Sequence, residues 1–140
     1  GVKVRVRYDV LDLHQFGDLK TTQDARERPF MNSIINYMYH QQMALYKAAF
    51  EWETGDTLGD ASIIAMESGA PHTTELYVLD DLAMAIGAHE FRKNLNTYAK
   101  CLESNQWGHY DGMGERKFIS LPEWAIMQYE ADTETDEVVV

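Results

Sequence analysis

Val2, Val4 and Val6 alternate with Lys3, Arg5 and Arg7 at the head of the chain. Strict alternation is the period of a strand with one buried face, so a strand is predicted here, ending at Asp9. Leu11 to Gln15 reads as a turn and Phe16 to Thr21 as a second strand, and together they predict an antiparallel hairpin. The period then changes. Thr22 and Asp24 are cap-type residues, Pro29 suits a first helical turn, and Phe30, Ile34, Ile35 and Met38 recur at helical spacing. A second helical run, from about Tyr39 to Trp52, carries Met43, Tyr46, Ala49 and Phe50 on one side and ends in the Gly55–Gly59 region.

Strands are next predicted at Ala61 to Met66 and Thr73 to Leu79, separated by the turn-forming run Ser68-Gly69-Ala70-Pro71. A long helix follows from about Asp80 to Glu103, with Asp80 and Asp81 suited to its N-terminus and Gly87 as a weak point. Asn105 to Glu115 reads as a loop, Phe118 as the centre of a short strand, and Leu121 to Tyr129 as a last helix. This order of strands and helices predicts one mixed α/β domain over residues 1–129, followed by an acidic tail, 130–140, expected to be disordered.

The length of 140 residues suits one domain, and 45% hydrophobic with 25% charged residues is a soluble globular balance. Charges interrupt every apolar stretch, so no membrane-spanning helix is expected. The chain opens on a strand pattern, where a secretory signal would show an apolar run. One cysteine, Cys101, cannot form an internal disulfide and suits a reducing cytoplasm. It reads either as a small apolar helical residue or as a reactive thiol. Charge complicates the picture. Twelve Lys and Arg against 23 Asp and Glu give −11, a poor starting point for sequence-blind phosphate binding. The imbalance is uneven: Glu130, Asp132, Glu134, Asp136 and Glu137 crowd the tail, whereas Lys3, Arg5 and Arg7 share one face of the opening strand. Arg92, Lys93, Arg116 and Lys117 lie later.

Candidate chemistry centres on the hairpin. Asp18 and Lys20 are two apart on a predicted strand and so share a face, and a hairpin would bring Asp9 beside them. Asp9, Asp18 and the carbonyl of Leu19 would form a hard oxygen site suited to Mg²⁺. Such an ion lowers the pKa of a bound water and stabilises charge on a phosphodiester. Lys20 would orient or deprotonate that water, or neutralise phosphate charge. The blander reading is a chance Asp-x-Lys triplet with a solvated Asp9. Gln42 and Tyr46, four apart, share a helix face. Either they point inward to hold Lys20 or contact a phosphate, or Tyr46 packs in the core beside a partly exposed Gln42. His40 has no second histidine at ligand spacing and is not read as a zinc ligand.

In this order the elements resemble the RecE (exodeoxyribonuclease VIII) family of the PD-(D/E)xK superfamily. The resemblance rests on Arg7-Tyr8-Asp9, on Asp18-Leu19-Lys20-Thr21-Thr22, and on the helix run Tyr39-His40-Gln41-Gln42-Met43-Ala44-Leu45-Tyr46. It extends to Cys101-Leu102, Trp107 and Leu121-Pro122-Glu123-Trp124-Ala125, so it covers Val4 to about Tyr129. It implies a restriction-endonuclease-like mixed central sheet flanked by helices. It implies Asp9 and Asp18 as metal ligands with the Leu19 carbonyl, and Lys20 as the catalytic lysine. Gln42 and Tyr46 would border the active site, and Trp124 would close the core. The implied cofactor is Mg²⁺, with Mn²⁺ as the alternative. The implied activity is processive 5′→3′ degradation of one strand at double-stranded DNA ends, leaving a 3′ single strand for a RecT-like annealing partner in a bacterial or phage-infected cell. A homo-oligomer is implied.

One departure qualifies this. That family carries further active-site residues, a histidine and an acidic residue, on helices before the hairpin, and here nothing precedes Gly1. The expectation is a fragment or a shortened natural derivative with one sheet face uncovered, needing a partner or self-association. Three functions are therefore carried forward: an exonuclease, a truncated non-catalytic relative that binds DNA or a nuclease, and an endonuclease on the same scaffold.

Overall fold

The computed structural model describes residues 1–12, 15–108, 116 and 118–136. They form two compact units, Gly1–Gln106 and Trp107–Val140. The first holds a four-stranded mixed sheet flanked by helices. Its elements are β1 (Val10–Leu11), β2 (Gln15–Thr22), α1 (Glu27–Asn36), α2 (Tyr39–Thr54), β3 (Asp60–Glu67), β4 (Thr74–Val78) and α3 (Asp81–Ser104). The sheet order is β1-β2-β3-β4. β1 and β2 form the antiparallel hairpin, β2 and β3 run parallel, and β3 and β4 are antiparallel. A parallel pair needs a long crossover, and α1 with α2 supplies it.

Register decides what faces the helices. Phe16, Asp18 and Lys20 pair with Ala61, Ile63 and Ala65. These residues and Tyr77, opposite Ile63, therefore share one sheet face. Phe16, Ala61, Ile63 and Ala65 are buried there with Phe30 of α1, Met43 of α2, and Leu58. Asp18 and Lys20 thus project into the layer between sheet and helices, flanked by core. Leu19, Leu76 and Val78 lie on the opposite face and are exposed.

α2 ends where Gly55 adopts φ 78°, a left-handed turn that glycine takes at no steric cost. α3 begins at Asp80, whose carboxylate accepts the Ala83 N–H at 2.7 Å. Within α3, Gly87 is not a weak point. A Cβ there would collide with the carbonyl of His40, so the absent side chain is what lets α2 and α3 approach.

Four other expectations meet a different outcome. Residues 1–9 form no ladder, and the strand β1 is only Val10–Leu11, with Asp9 at the bend before it. The alternation has another cause: Val2, Val4 and Val6 line a cavity with Leu45, Ala49 and Phe91 of α2 and α3. Their apolar side faces helices across this cavity, with Val4 still 45% exposed. Phe118 lies in no strand and is 97% exposed, for no partner strand is present among the described residues. In the second unit, α4 spans Glu123–Asp136, so the helix runs beyond Tyr129 into the residues expected to be disordered. Thr133 stitches this extension by donating its hydroxyl to the carbonyls of Tyr129 and Glu130, at 3.0 and 2.9 Å. Trp124, expected to close the core, is 69% exposed. Trp124, Ile126, Met127 and Tyr129 are distributed around α4 and give it no single apolar stripe to bury. The remaining residues of the tail and most of the glycine-rich stretch before Phe118 lie outside the described residues.

Candidate active site

The crossover sets two short rows of side chains against each other. β2 contributes Asp18, Lys20 and Thr22, which alternate onto one face. α2 contributes Tyr39, Gln42 and Tyr46, which share a helix face by their three- and four-residue spacing. The rows interlock through the Gln42 amide. Its Oε1 accepts from the Lys20 ammonium at 2.8 Å, and its Nε2 donates to Asp18 Oδ1 and to the Tyr46 hydroxyl, each at 2.9 Å. The amide's orientation follows from its partners: an ammonium only donates and a carboxylate only accepts.

Asp18 is 4% exposed. Its Oδ2 lies 2.5 Å from the Lys20 ammonium, yet the alignment is not that of a hydrogen bond, and the buried oxygen has no hydrogen-bond partner. Proximity and alignment disagree here. The ion pair compensates the buried charge, and a carboxylate oxygen so paired still has a second lone pair to offer. The Lys20 ammonium also sits 4.5 Å from the centre of the Tyr39 ring, within cation–π range.

The hairpin brings in Asp9, whose Oδ2 accepts the backbone N–H of Leu19 at 2.9 Å. Asp9 is exposed where Asp18 is sealed. The peptide between Asp18 and Lys20 is thus bracketed by both carboxylates. No cluster of three or more His, Cys, Asp or Glu side chains with metal-binding geometry occurs among the described residues. Asp9 and Asp18 are hard oxygen donors of the kind that suits Mg²⁺. That ion is commonly held by one or two carboxylates, with waters and substrate phosphate completing its shell.

All six expected positions, Asp9, Asp18, Leu19, Lys20, Gln42 and Tyr46, fall within this one constellation. Tyr46 satisfies both readings offered for it, since it packs against the core and accepts from Gln42. Two contributors were missed. Tyr39 lies three residues before Gln42 on the same face, a signal that was available. Tyr8 donates its hydroxyl to the Tyr46 carbonyl at 2.7 Å and meets the Tyr46 ring edge-on at 5.0 Å, a long-range contact with no local signature. Burial, then the neighbouring Tyr46, raise the Tyr8 phenol above its ordinary pKa. His40 is buried behind this row, with Nε2 2.9 Å from Glu90 and Nδ1 3.4 Å from the Ile34 carbonyl.

Among solved structures, the fold is similar to a Eubacterium rectale protein provisionally assigned as an exonuclease, with a TM-score of 0.63 at 13% identity. The match covers 86% of this chain and 48% of that one, so the chain spans about half the length of this relative. No curated protein sequence matches. Residues 1–116 match the family described as "PDDEXK-like domain of unknown function (DUF3799)", and the chain belongs to that family, within the PD-(D/E)xK superfamily.

Proposed function

We propose that this chain carries the catalytic strand and helix of a metal-dependent DNA exonuclease resembling RecE, acting 5′→3′ on one strand at duplex ends. The observation that supports this most is the buried Asp18–Lys20–Gln42 linkage with Asp9 on the intervening peptide. One amide holds Asp18 and Lys20 in a single geometry, while Asp18 Oδ2, paired with the ammonium, keeps a further lone pair for a metal ion. The family's PD-(D/E)xK character supports a nuclease, and the Eubacterium rectale relative's assignment supports an exonuclease.

Asp9, Asp18 and the Leu19 carbonyl would hold Mg²⁺, or Mn²⁺ in its place. When bound, the ion supplies a water of lowered pKa and charge stabilisation at the phosphodiester. The side chains do the rest. Gln42 and the Tyr39 ring fix the Lys20 ammonium from two sides, so positive charge is already in place where phosphate charge gathers. Tyr46 anchors Gln42, and Tyr8 anchors the backbone of Tyr46. A RecT-like annealing partner and a homo-oligomeric state accompany this reading. A binding role without cleavage is the second reading, favoured by the absence of a cluster of three metal-binding side chains among the described residues.

The test is degradation of end-labelled linear duplex DNA with Mg²⁺, against chelator, closed circular DNA, and the Asp18→Ala and Lys20→Ala variants. Loss of linear DNA only, abolished by chelator and by each folded variant, supports the exonuclease. Digestion of circles points to an endonuclease. A folded chain that binds DNA ends but leaves them intact supports the second reading, and normal cutting by Lys20→Ala would remove that lysine from the mechanism.

A further inference from the structure

Beside the Tyr39 ring, over which the Lys20 ammonium sits, lies a pocket of about 390 Å³ lined by Thr22, Ser33, Ser68, Tyr37 and Tyr39 among others. Its lining is hydroxyl-rich, and no Asp, Glu, Lys or Arg belongs to it among the described residues. In a chain with 23 acidic residues, an uncharged cleft beside the candidate site is where a polyanion meets least repulsion.

Tyr37 and Tyr39 stack there, with ring centres 5.7 Å apart and planes 23° from parallel. Residues two apart in a continuous helix diverge by about 200° and cannot stack. Met38 makes the stack by taking φ 56° and ψ 37° between α1 and α2, a left-handed conformation that is costly for a bulky residue. Gln41 Nε2 donates to the Met38 sulfur at 3.2 Å and steadies the junction. Tyr39 packs against the core, but Tyr37 is 69% exposed and contributes nothing to that core. Strain spent to present an exposed ring over a neutral pocket calls for a ligand.

We propose that Tyr37 is a stacking platform for one unpaired nucleobase of the DNA strand whose phosphate lies at Lys20. This rests on the nuclease reading and adds to it the form of the substrate. Tyr39 links the two places, with Lys20 over its ring and Tyr37 stacked on it. A base inside a duplex is covered on both faces, so the base that meets Tyr37 is one freed from its neighbours or the last of its strand. The Ser33 hydroxyl suits a sugar or phosphate oxygen without fixing base identity, whereas those of Thr22 and Ser68 already donate to the Asp24 and Thr22 carbonyls.

The experiment measures binding of short single-stranded DNA with Ca²⁺ in place of Mg²⁺, comparing an intact oligonucleotide with a set carrying one abasic position, walked along the strand. The expected result is one position where base removal weakens binding roughly 5- to 150-fold. That preference should persist in Tyr37→Phe and vanish in Tyr37→Ala, an exposed position where folding is checked by circular dichroism. A preference that survives Tyr37→Ala, or one lost equally in Tyr37→Phe, overturns stacking at this ring. If the unaltered chain also degrades linear DNA and Asp18→Ala does not, that failure belongs to the stacking proposal alone. If the unaltered chain neither binds nor degrades DNA, the nuclease reading fails and this proposal with it.

Discussion

Gln42→Glu isolates the central hydrogen-bond pattern because it changes almost no volume. At Oε1 nothing is lost: the introduced carboxylate still accepts from Lys20. At the other end a donor 2.9 Å from Asp18 Oδ1 becomes an acceptor facing an acceptor. With an effective dielectric near 20, the new charge gains about 6 kcal/mol from Lys20 at 2.8 Å and loses about 6 kcal/mol to Asp18, so the Coulomb terms nearly cancel. The Tyr46 hydroxyl can turn from accepting to donating. What does not cancel is the lost hydrogen bond to a buried carboxylate, about 1.5–3 kcal/mol. The variant should therefore be less stable than wild type by about 2 kcal/mol near pH 7. With the Coulomb terms cancelling, desolvation between sheet and helix is what raises the introduced carboxylate's folded-state pKa above the ordinary glutamate value of about 4.3. Stability is then complete below that unfolded value and is lost as pH rises through the raised one. Near pH 4 a shared proton restores a donor, and the deficit should shrink to below about 1 kcal/mol. Urea unfolding of both proteins at the two pH values measures this. A deficit that is equal at both, or absent near neutrality, would show that Gln42 does not donate to Asp18 as drawn.

Gly87→Ala should destabilise by about 2 kcal/mol, because overpacking against the His40 carbonyl outweighs the gain of about 1 kcal/mol in helix propensity. Thermal unfolding checks it, and a stabilised variant would mean that α2 and α3 separate freely. Glu90 is held below its ordinary pKa of 4.5 by hydrogen bonds, first from Gln41 and then from His40. A depressed carboxylate adds stability above its ordinary value and loses it as pH falls below. Glu90→Gln should therefore flatten the acid side of a Tm–pH profile relative to wild type, and identical profiles would refute the coupling.

The local half of this site was legible in the sequence. A period of two puts Asp18 and Lys20 on one face, a spacing of four puts Gln42 and Tyr46 on another, and both follow from backbone geometry. That the faces meet depends on the parallel pairing of Phe16 with Ala61, set by a crossover no local pattern specifies. The valines at 2, 4 and 6 show the same limit. Alternation reveals that one side of a segment is apolar, but it does not say whether a strand or a pair of helices covers it. Gly87 misled because propensity prices a glycine by its own helix, whereas its use lies in another helix's carbonyl. Met38 carries no mark of its positive φ, since left-handed turns are ordinarily announced by glycine or asparagine.

A net charge of −11 weighs less against DNA than it first appears, because charge acts over a short range. The Debye length is about 8 Å at physiological salt, so exposed acids farther than that from a bound phosphate are largely screened. Within reach of Lys20 the balance is local: two carboxylates and one ammonium leave the constellation one charge negative. In the proposed function a divalent cation reverses that sign, so the site attracts phosphate only once loaded with metal. A neutral aromatic platform complements such a site. Stacking costs no charge and needs none, whereas a basic groove in its place would hold the strand whether or not the metal was present. An acidic chain with a stacking surface can thus make its grip on DNA conditional on the ion that cuts it.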